Sequence, residues 1–314
     1  MSGHISVMFD ECMAGLNLST GKLIVDGTLG GGGHTEGILK EGCKVIGIDK
    51  DSDAIERCRE RLRYYSDRIT LVRDDFKNIT EILSALDVEK IDGAILDLGV
   101  SSYQLDERER GFSYSADAPL DMRMDKDAEL SARTVVNEYE EERLKRILYE
   151  YGEEKFSARI AHSIVLNRPL ETTGELAEIV KNAIPAAARR TGGNPSKRTF
   201  QAVRIEVNGE LEGLEDAIGD YIDALAPGGV LAVISFHSLE DRAVKRAFRK
   251  AENPCTCPPD FPQCVCGKKP KGKASPRKPI LPTAEETENN PRSKSAKLRL
   301  FVKGEEYGNE QQRV

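Results

Sequence analysis

Three aspartates close short apolar runs in the first hundred residues: Leu23-Ile24-Val25-Asp26, Val45-Ile46-Gly47-Ile48-Asp49 and Ala94-Ile95-Leu96-Asp97. Between the first two lies Gly27-Thr28-Leu29-Gly30-Gly31-Gly32-Gly33-His34-Thr35, which is dense in glycine. Glycine admits positive φ and lets a ligand come close to the backbone, because no Cβ stands in the way. A buried strand, a glycine turn and a second strand tipped by an acid make a nucleoside pocket, in which the acid accepts the ribose hydroxyls. Asp49 is the candidate for that role. Asp75-Phe76 offers an acceptor and an apolar wall for a purine, and Asp97 offers a polar group beside the reacting carbon.

The glycine turn alone leaves two cofactors open. A dinucleotide pyrophosphate needs bare amides at a helix N-terminus, and its fingerprint usually carries no acid where Asp26 stands. A sulfonium amino acid is cationic and needs carboxylates or carbonyls, which favours S-adenosylmethionine. Asp26 reads equally well as a turn residue. A nicotinamide-dependent dehydrogenase and a non-catalytic RNA-binding module are the competing classes, and strand-tip acids argue against the second. No histidine pairs in sequence with Ser101 or Ser102, which read as helix caps rather than nucleophiles.

The elements that must position these groups alternate. Strands are expected at Leu23–Asp26, Lys44–Asp49, Ile69–Arg73 and Gly93–Leu98. Helices are expected at 35–40, 52–64 (capped by Ser52) and 79–86. This rhythm implies a parallel sheet covered on both faces. It stops at Val100. Amphipathic helices are expected at 138–151, 154–166 and 174–184, and the aperiodic segment 111–127 is expected over the pocket. A helix at 200–224, a turn at Pro227-Gly228-Gly229 and a strand at 230–236 resume the sheet. Ser238 then caps a helix to Ala251, with Asp241 answering it. Two more strands are expected at 279–281 and 295–303.

The 314 residues suffice for a large domain and a smaller one. No apolar run is long enough to span a membrane, and Met1-Ser2-Gly3-His4-Ile5-Ser6 lacks the basic and apolar parts of a signal peptide. The expectation is a cytoplasmic protein with no membrane partner. The net charge of -7 hides a segregation. Residues 187–204 carry five Lys or Arg and no acid, and residues 245–303 carry fifteen Lys or Arg against five acids. Two basic segments in an acidic chain suggest a local polyanion surface, with Arg198, Arg204, Lys245, Arg246 and Arg249 as phosphate contacts. Phe200 reads as a base-stacking or a core residue. Cys12, Cys43 and Cys58 are scattered and read as buried thiols of a reducing compartment. Cys255, Cys257, Cys264 and Cys266 form C-x-C-x₆-C-x-C, which suits a structural zinc, reduced thiols or disulfides.

Further motifs are His4-Ile5-Ser6-Val7-Met8, Glu109-Arg110-Gly111-Phe112-Ser113, Pro119–Asp125, Arg198-Thr199-Phe200-Gln201-Ala202-Val203-Arg204-Ile205 and Ser235-Phe236-His237-Ser238-Leu239-Glu240-Asp241-Arg242. With Asp26–Thr35, Leu96–Leu105 and Asn290–Leu298 they resemble the bacterial ribosomal RNA small subunit methyltransferase H family over nearly all of residues 4–303. The resemblance implies an α/β, Rossmann-like S-adenosylmethionine methyltransferase sheet with an inserted, smaller all-helical domain. Residues 1–103 and 200–304 would be the two parts of the methyltransferase domain, the latter with a cysteine-bearing basic loop at 253–278. Residues 104–199 would be the helical substrate-recognition insert and 305–314 a disordered tail. It implies N4-methylation of a decoding-region cytidine in 16S rRNA of the small ribosomal subunit. It implies cofactor contacts at Gly32, Gly33, His34, Asp49, Phe76, Asp97 and Gln104. Asp97 is the first candidate catalytic group and His237, at the tip of the fifth strand, the second. His237 also reads as a brace for the helix that follows it.

Overall fold

The computed structural model describes residues 6–189, 193–258 and 265–305. Cys264 and the tail beyond Glu305 lie outside the described residues. Along the chain, α1 (Phe9–Gly15), β1 (Leu23–Asp26), α2 (Gly33–Lys40), β2 (Lys44–Asp49), α3 (Ser52–Arg61), β3 (Ile69–Arg73), α4 (Ile79–Ala85) and β4 (Ile91–Asp97) follow one another. Helices α5 (Ser102–Asp106), α6 (Ala132–Glu138), α7 (Glu141–Glu150), α8 (Ser157–Leu166), α9 (Thr173–Ala183), α10 (Ala186–Arg189), α11 (Lys197–Asn208) and α12 (Leu214–Ala224) come next. The chain continues through β5 (Leu225–Ser235), α13 (Ser238–Glu252), β6 (Gly272–Ala274), α14 (Ala284–Asn289) and β7 (Lys297–Lys303). Two compact units result: Met1–Gly99 with Gly213–Val314, and Val100–Glu212.

The first unit is a seven-stranded sheet in the order β3-β2-β1-β4-β5-β7-β6. Strands β1 to β5 pair in parallel, and β7 and β6 join antiparallel. Strands β2 and β4 are buried almost end to end, because a parallel sheet is covered on both faces. Ile24, Ile38, Ile95, Ile234 and Leu298 meet in its core. The order reverses at β1, whose neighbours are β2 on one side and β4 on the other. In such sheets ligands bind at the carboxyl ends of the strands where the order reverses. Asp26 lies opposite both Gly47 and Ile95. Asp49 and Asp97 therefore stand two residues further along their own strands, on the same edge.

Several local details differ from the sequence reading. The turn Pro227-Gly228-Gly229 lies inside β5: Leu225 pairs with Ile91 and Val230 with Gly93, so it is a bulge within one strand. The helix expected at 200–224 is two helices, because Gly209 and Gly213 both take left-handed φ (56° and 66°). Asp51, not Ser52, caps α3 by accepting from the Asp53 N–H. His237, not Ser238, caps α13: its Nδ1 accepts from Glu240 N, and Glu240 completes the box. Asp241 instead pairs with Arg299 and Lys297 on β7. Only a single bridge, Ile280 to Leu298, forms where a strand was expected at 279–281, and the edge position belongs to β6.

The second unit is helical. Leu144, Ile147, Leu148, Ile160, Ile164, Leu176, Val180 and Val203 form its core. Helix α11 packs within it, so the helical unit runs through Glu212 rather than ending at 199. Phe112, Leu120, Met122 and Met124 of the aperiodic segment are buried in the same core. Asn208 ties that segment down, donating to Met122 O and accepting from Met124 N. The buried Arg110 guanidinium donates to the carbonyls of Arg123 and Met124.

Candidate active site

The glycine turn after β1 is stitched to three strand tips. Gly30 N–H donates to Asp49 Oδ2 (2.8 Å). Asp97 N–H donates to the Thr28 hydroxyl (2.6 Å). The Thr35 hydroxyl donates to Asp26 Oδ2 (2.6 Å), and Thr28 N–H reaches Asp26 Oδ1 (3.2 Å). Asp26 thus serves the turn, with both oxygens turned inward. Gly32 caps α2 at φ 74°, and a Cβ there would meet Cys58 Sγ at 2.9 Å. A Cβ on Gly33 would strike the Ser6 hydroxyl. Gly32 is thus favoured by its left-handed φ as well as by packing, whereas a side chain at Gly33 would require Ser6 to move. The two glycines begin α2 with their amides at its N-terminal end.

Asp49 accepts from Gly30 N–H and Asp51 N–H (2.9 Å). A carboxylate has about four acceptor positions, so two remain for vicinal hydroxyls. Burial raises Asp49 to about 6, against the lowering effect of those two amides. Phe76 is half-buried and opens a 3₁₀ turn capped by Asp75. A Cβ on Gly27 would come within 3.3 Å of Phe76 Cβ and 2.5 Å of the Tyr221 hydroxyl, so the Phe76 wall abuts the turn.

Asp97 ends β4. Its Oδ1 is covered and has no hydrogen-bond partner, although the side chain as a whole keeps 26 % of its surface open. Burial, then Asp26 and Glu240, raise it to about 8. His34 lies beside it, with Nδ1 3.9 Å from Asp97 Oδ2. His34 Nε2 is 3.1 Å from Val7 O. A carbonyl only accepts, so Nε2 carries the hydrogen. Burial lowers His34 to about 4 and keeps it neutral. Its Nδ1 is then a bare acceptor that faces Asp97.

His237 is a helix cap in the structure. Its Nε2 lies 3.1 Å from Glu240 Oε1, without the alignment of a hydrogen bond. Glu240 Oε2 accepts from the N–H groups of Phe236 and His237. Gln104 belongs to the helical unit, where it closes a capping box with Ser101. Arg204 is committed to Glu210 through two hydrogen bonds, inside that unit. Arg198 donates to Glu153 O, and Phe200 is buried edge-on against Tyr114, as a core residue. Lys245, Arg246 and Arg249 lie on the exposed face of α13, with Arg246 paired to Glu215. The sequence reading passed over Thr28, Thr35 and Glu240. The spacing of Glu240 from His237 is that of a capping box, a signal present in the chain but assigned to the next residue. A buried tyrosine such as Tyr221, whose hydroxyl has no partner, leaves no sequence signal.

These acids fit a cation and would repel a pyrophosphate. The orphaned Asp97 Oδ1 is the sharpest sign, because a buried polar atom without a partner costs about 1–3 kcal/mol unless a ligand supplies one. A pH dependence follows. The unfolded carboxyl titrates near 3.8, and the folded groups near 6 and 8. The empty protein therefore loses stability as pH rises through that window, because its acids ionise later than those of the unfolded chain. A bound cation favours the ionised forms and offsets the loss. The rise in Tm produced by S-adenosylmethionine is expected to be larger at about pH 8.5 than at about pH 7, and calorimetry is expected to register proton release on binding. A Tm gain that shrinks with pH would contradict the electrostatic account.

A reversing parallel sheet, a glycine turn keyed to three acids and a buried, cation-seeking carboxylate define an S-adenosylmethionine-dependent methyltransferase. The chain belongs to the MraW methylase family, whose model matches residues 1–304. It is 55% identical over 309 residues to ribosomal RNA small subunit methyltransferase H 2 of Agathobacter rectalis, covering 96% of this chain and 98% of that one. It is 56% identical over 306 residues to ribosomal RNA small subunit methyltransferase H of Clostridium botulinum, with the same coverage. Among solved structures it is similar to a methyltransferase from Streptococcus mutans in complex with SAH, at TM-score 0.43 and 12% identity over 96% of this chain and 99% of that one. No helix among the described residues is long and apolar enough to cross a membrane.

Proposed function

We propose that this chain methylates N4 of a cytidine in the decoding region of 16S rRNA, within the small ribosomal subunit. The names of its relatives support the RNA class. The observation that carries the chemistry is the partnerless, buried Asp97 Oδ1 at the tip of β4. When bound, S-adenosylmethionine supplies a methyl group activated by a cationic sulfur. Gly32, Gly33 and His34 line its cradle, Asp49 takes the ribose hydroxyls and Phe76 flanks the adenine.

A cytosine amine is a weak nucleophile, because its lone pair is delocalised into the ring. Asp97 accepts a hydrogen bond from that amine, and then its proton, which draws the lone pair out of conjugation. Neutral His34 faces Asp97 with a bare Nδ1, so it can accept a hydrogen bond only from the protonated carboxyl. His237 and Gln104 are positioning residues, the first through its cap on α13 and the second through its box with Ser101. The base must leave its stack to reach the site. Lys245, Arg246 and Arg249 bind phosphate from the exposed face of α13.

The test is transfer of labelled methyl to small subunits from cells that lack the enzyme, with nucleoside analysis of the product. N4-methylcytidine is expected, and label in any other nucleoside overturns the substrate assignment. Affinity for the RNA is expected to fall steeply with salt as counterions are released. A flat salt response would remove the proposed α13 surface.

A further inference from the structure

We propose that Cys255, Cys257 and Cys266 are ligands of a structural zinc ion that pins the basic loop between α13 and β6. The three sulfurs lie within 4.8 Å of one another. Cys255 Sγ and Cys266 Sγ are 3.8 Å apart. Zinc–thiolate bonds of about 2.3 Å at tetrahedral angles place two sulfurs about 3.8 Å apart, whereas a disulfide places them at about 2.05 Å. The Val265 N–H donates to Cys257 Sγ at 3.3 Å. An amide aimed at sulfur stabilises the thiolate form, as the outer shell of a metal site does.

The base of the loop is fixed, since Lys271 N–H donates to Ala251 O, and β6 then pairs with β7. Between those anchors no described residue from Asn253 to Pro270 is buried, and Val265 is 73% exposed. Apolar burial of the described residues therefore does not gather the three sulfurs, and closing such an excursion costs chain entropy. A metal bound by thiolates returns that free energy directly. A set of thiolates selects a soft or borderline ion and excludes magnesium and calcium. Zinc fits because its tetrahedral site is closed by one more donor, a water or another thiolate. Lys268, Lys269, Lys271 and Lys273 follow in sequence and offset the negative charge of the thiolates. Pinning the loop fixes where this lysine run begins.

The site is remote in role from methyl transfer, so its test does not depend on turnover. Full-length protein is purified under reducing conditions without chelator, and its zinc is measured. The apoprotein is then titrated with Co²⁺ as a spectroscopic stand-in. Stoichiometric zinc, a sulfur-to-cobalt charge-transfer band and tetrahedral d–d absorption are expected. Cys257→Ser is expected to abolish the band and weaken Co²⁺ binding by more than about tenfold, while its binding of S-adenosylmethionine stays unchanged. Chelation is expected to open cleavage by trypsin after Lys268 in the wild-type chain only. Folded, reduced protein that takes up no stoichiometric zinc or Co²⁺ overturns the proposal. So does a chain whose mass and thiol titration show these cysteines paired as a disulfide when purified without reductant, with zinc absent.

Discussion

Replacing Asp97 by alanine lowers methyl transfer by about 10²–10⁴-fold, the usual contribution of a placed acid–base group, and leaves RNA affinity nearly unchanged. The Asp97 Oδ1 is covered and meets no protein partner, so removal of the carboxyl costs the fold little. The turn also survives, because it is the Asp97 backbone N–H, not the side chain, that holds Thr28. The loss is read in single turnovers at saturating cofactor, which separates it from weakened cofactor binding. Asp97→Asn keeps the shape but accepts no proton, and is expected to share most of the loss. Filter binding supplies the comparison with RNA. Equal loss of turnover and RNA affinity would mean that Asp97 holds the substrate rather than its proton.

Asp49→Ala weakens S-adenosylmethionine by about 10²-fold or more. Hydrogen bonds to a charged acceptor contribute about 1.5–3 kcal/mol each, and the ribose offers two. The same oxygens brace Gly30 and Asp51, so some loss passes through the turn. Urea unfolding measures that part, and calorimetry measures the whole. An affinity within threefold or so of wild type would place the ribose elsewhere, since one such bond alone exceeds that factor.

Much of this architecture was written in the apolar runs. Strands β1, β2 and β3 begin and end where the sequence places them: β1 and β2 are buried runs that end in acids, and β3 is a half-exposed β-branched run at the sheet edge. The helical insert was legible from the loss of strand-like runs after Val100. Other features were not. Strand β6 is Gly-Lys-Ala and carries no apolar signal; its pairing with β7 makes it a strand. Helix α6 was missed because its seven residues hold only three buried side chains, Ala132, Val135 and Val136. Caps were misassigned by one residue at Asp51 and His237, where two adjacent polar residues compete and only backbone geometry decides. Asp26 could have been a ligand or a brace, and Thr35, nine residues away, determines that it is a brace. Arg204 stood in a basic run with nothing to mark its bond to Glu210. The three acids were readable as strand tips, but their unequal proton affinities were not, because those depend on which oxygens the turn engages.

Strand β7 holds a further consequence, for biosynthesis. It is hydrogen-bonded on one side to β5 and on the other to β6, yet in chain order it comes after both. During translation the Val230–Ile234 edge therefore waits, bare and apolar, until Lys297–Lys303 has been made. Bare edges of this kind recruit foreign strands. The helical unit, complete by Glu212, can fold well before that. A nascent chain stalled or cut before Lys297 would thus carry one finished body and one adhesive half-sheet, a ready client for chaperones.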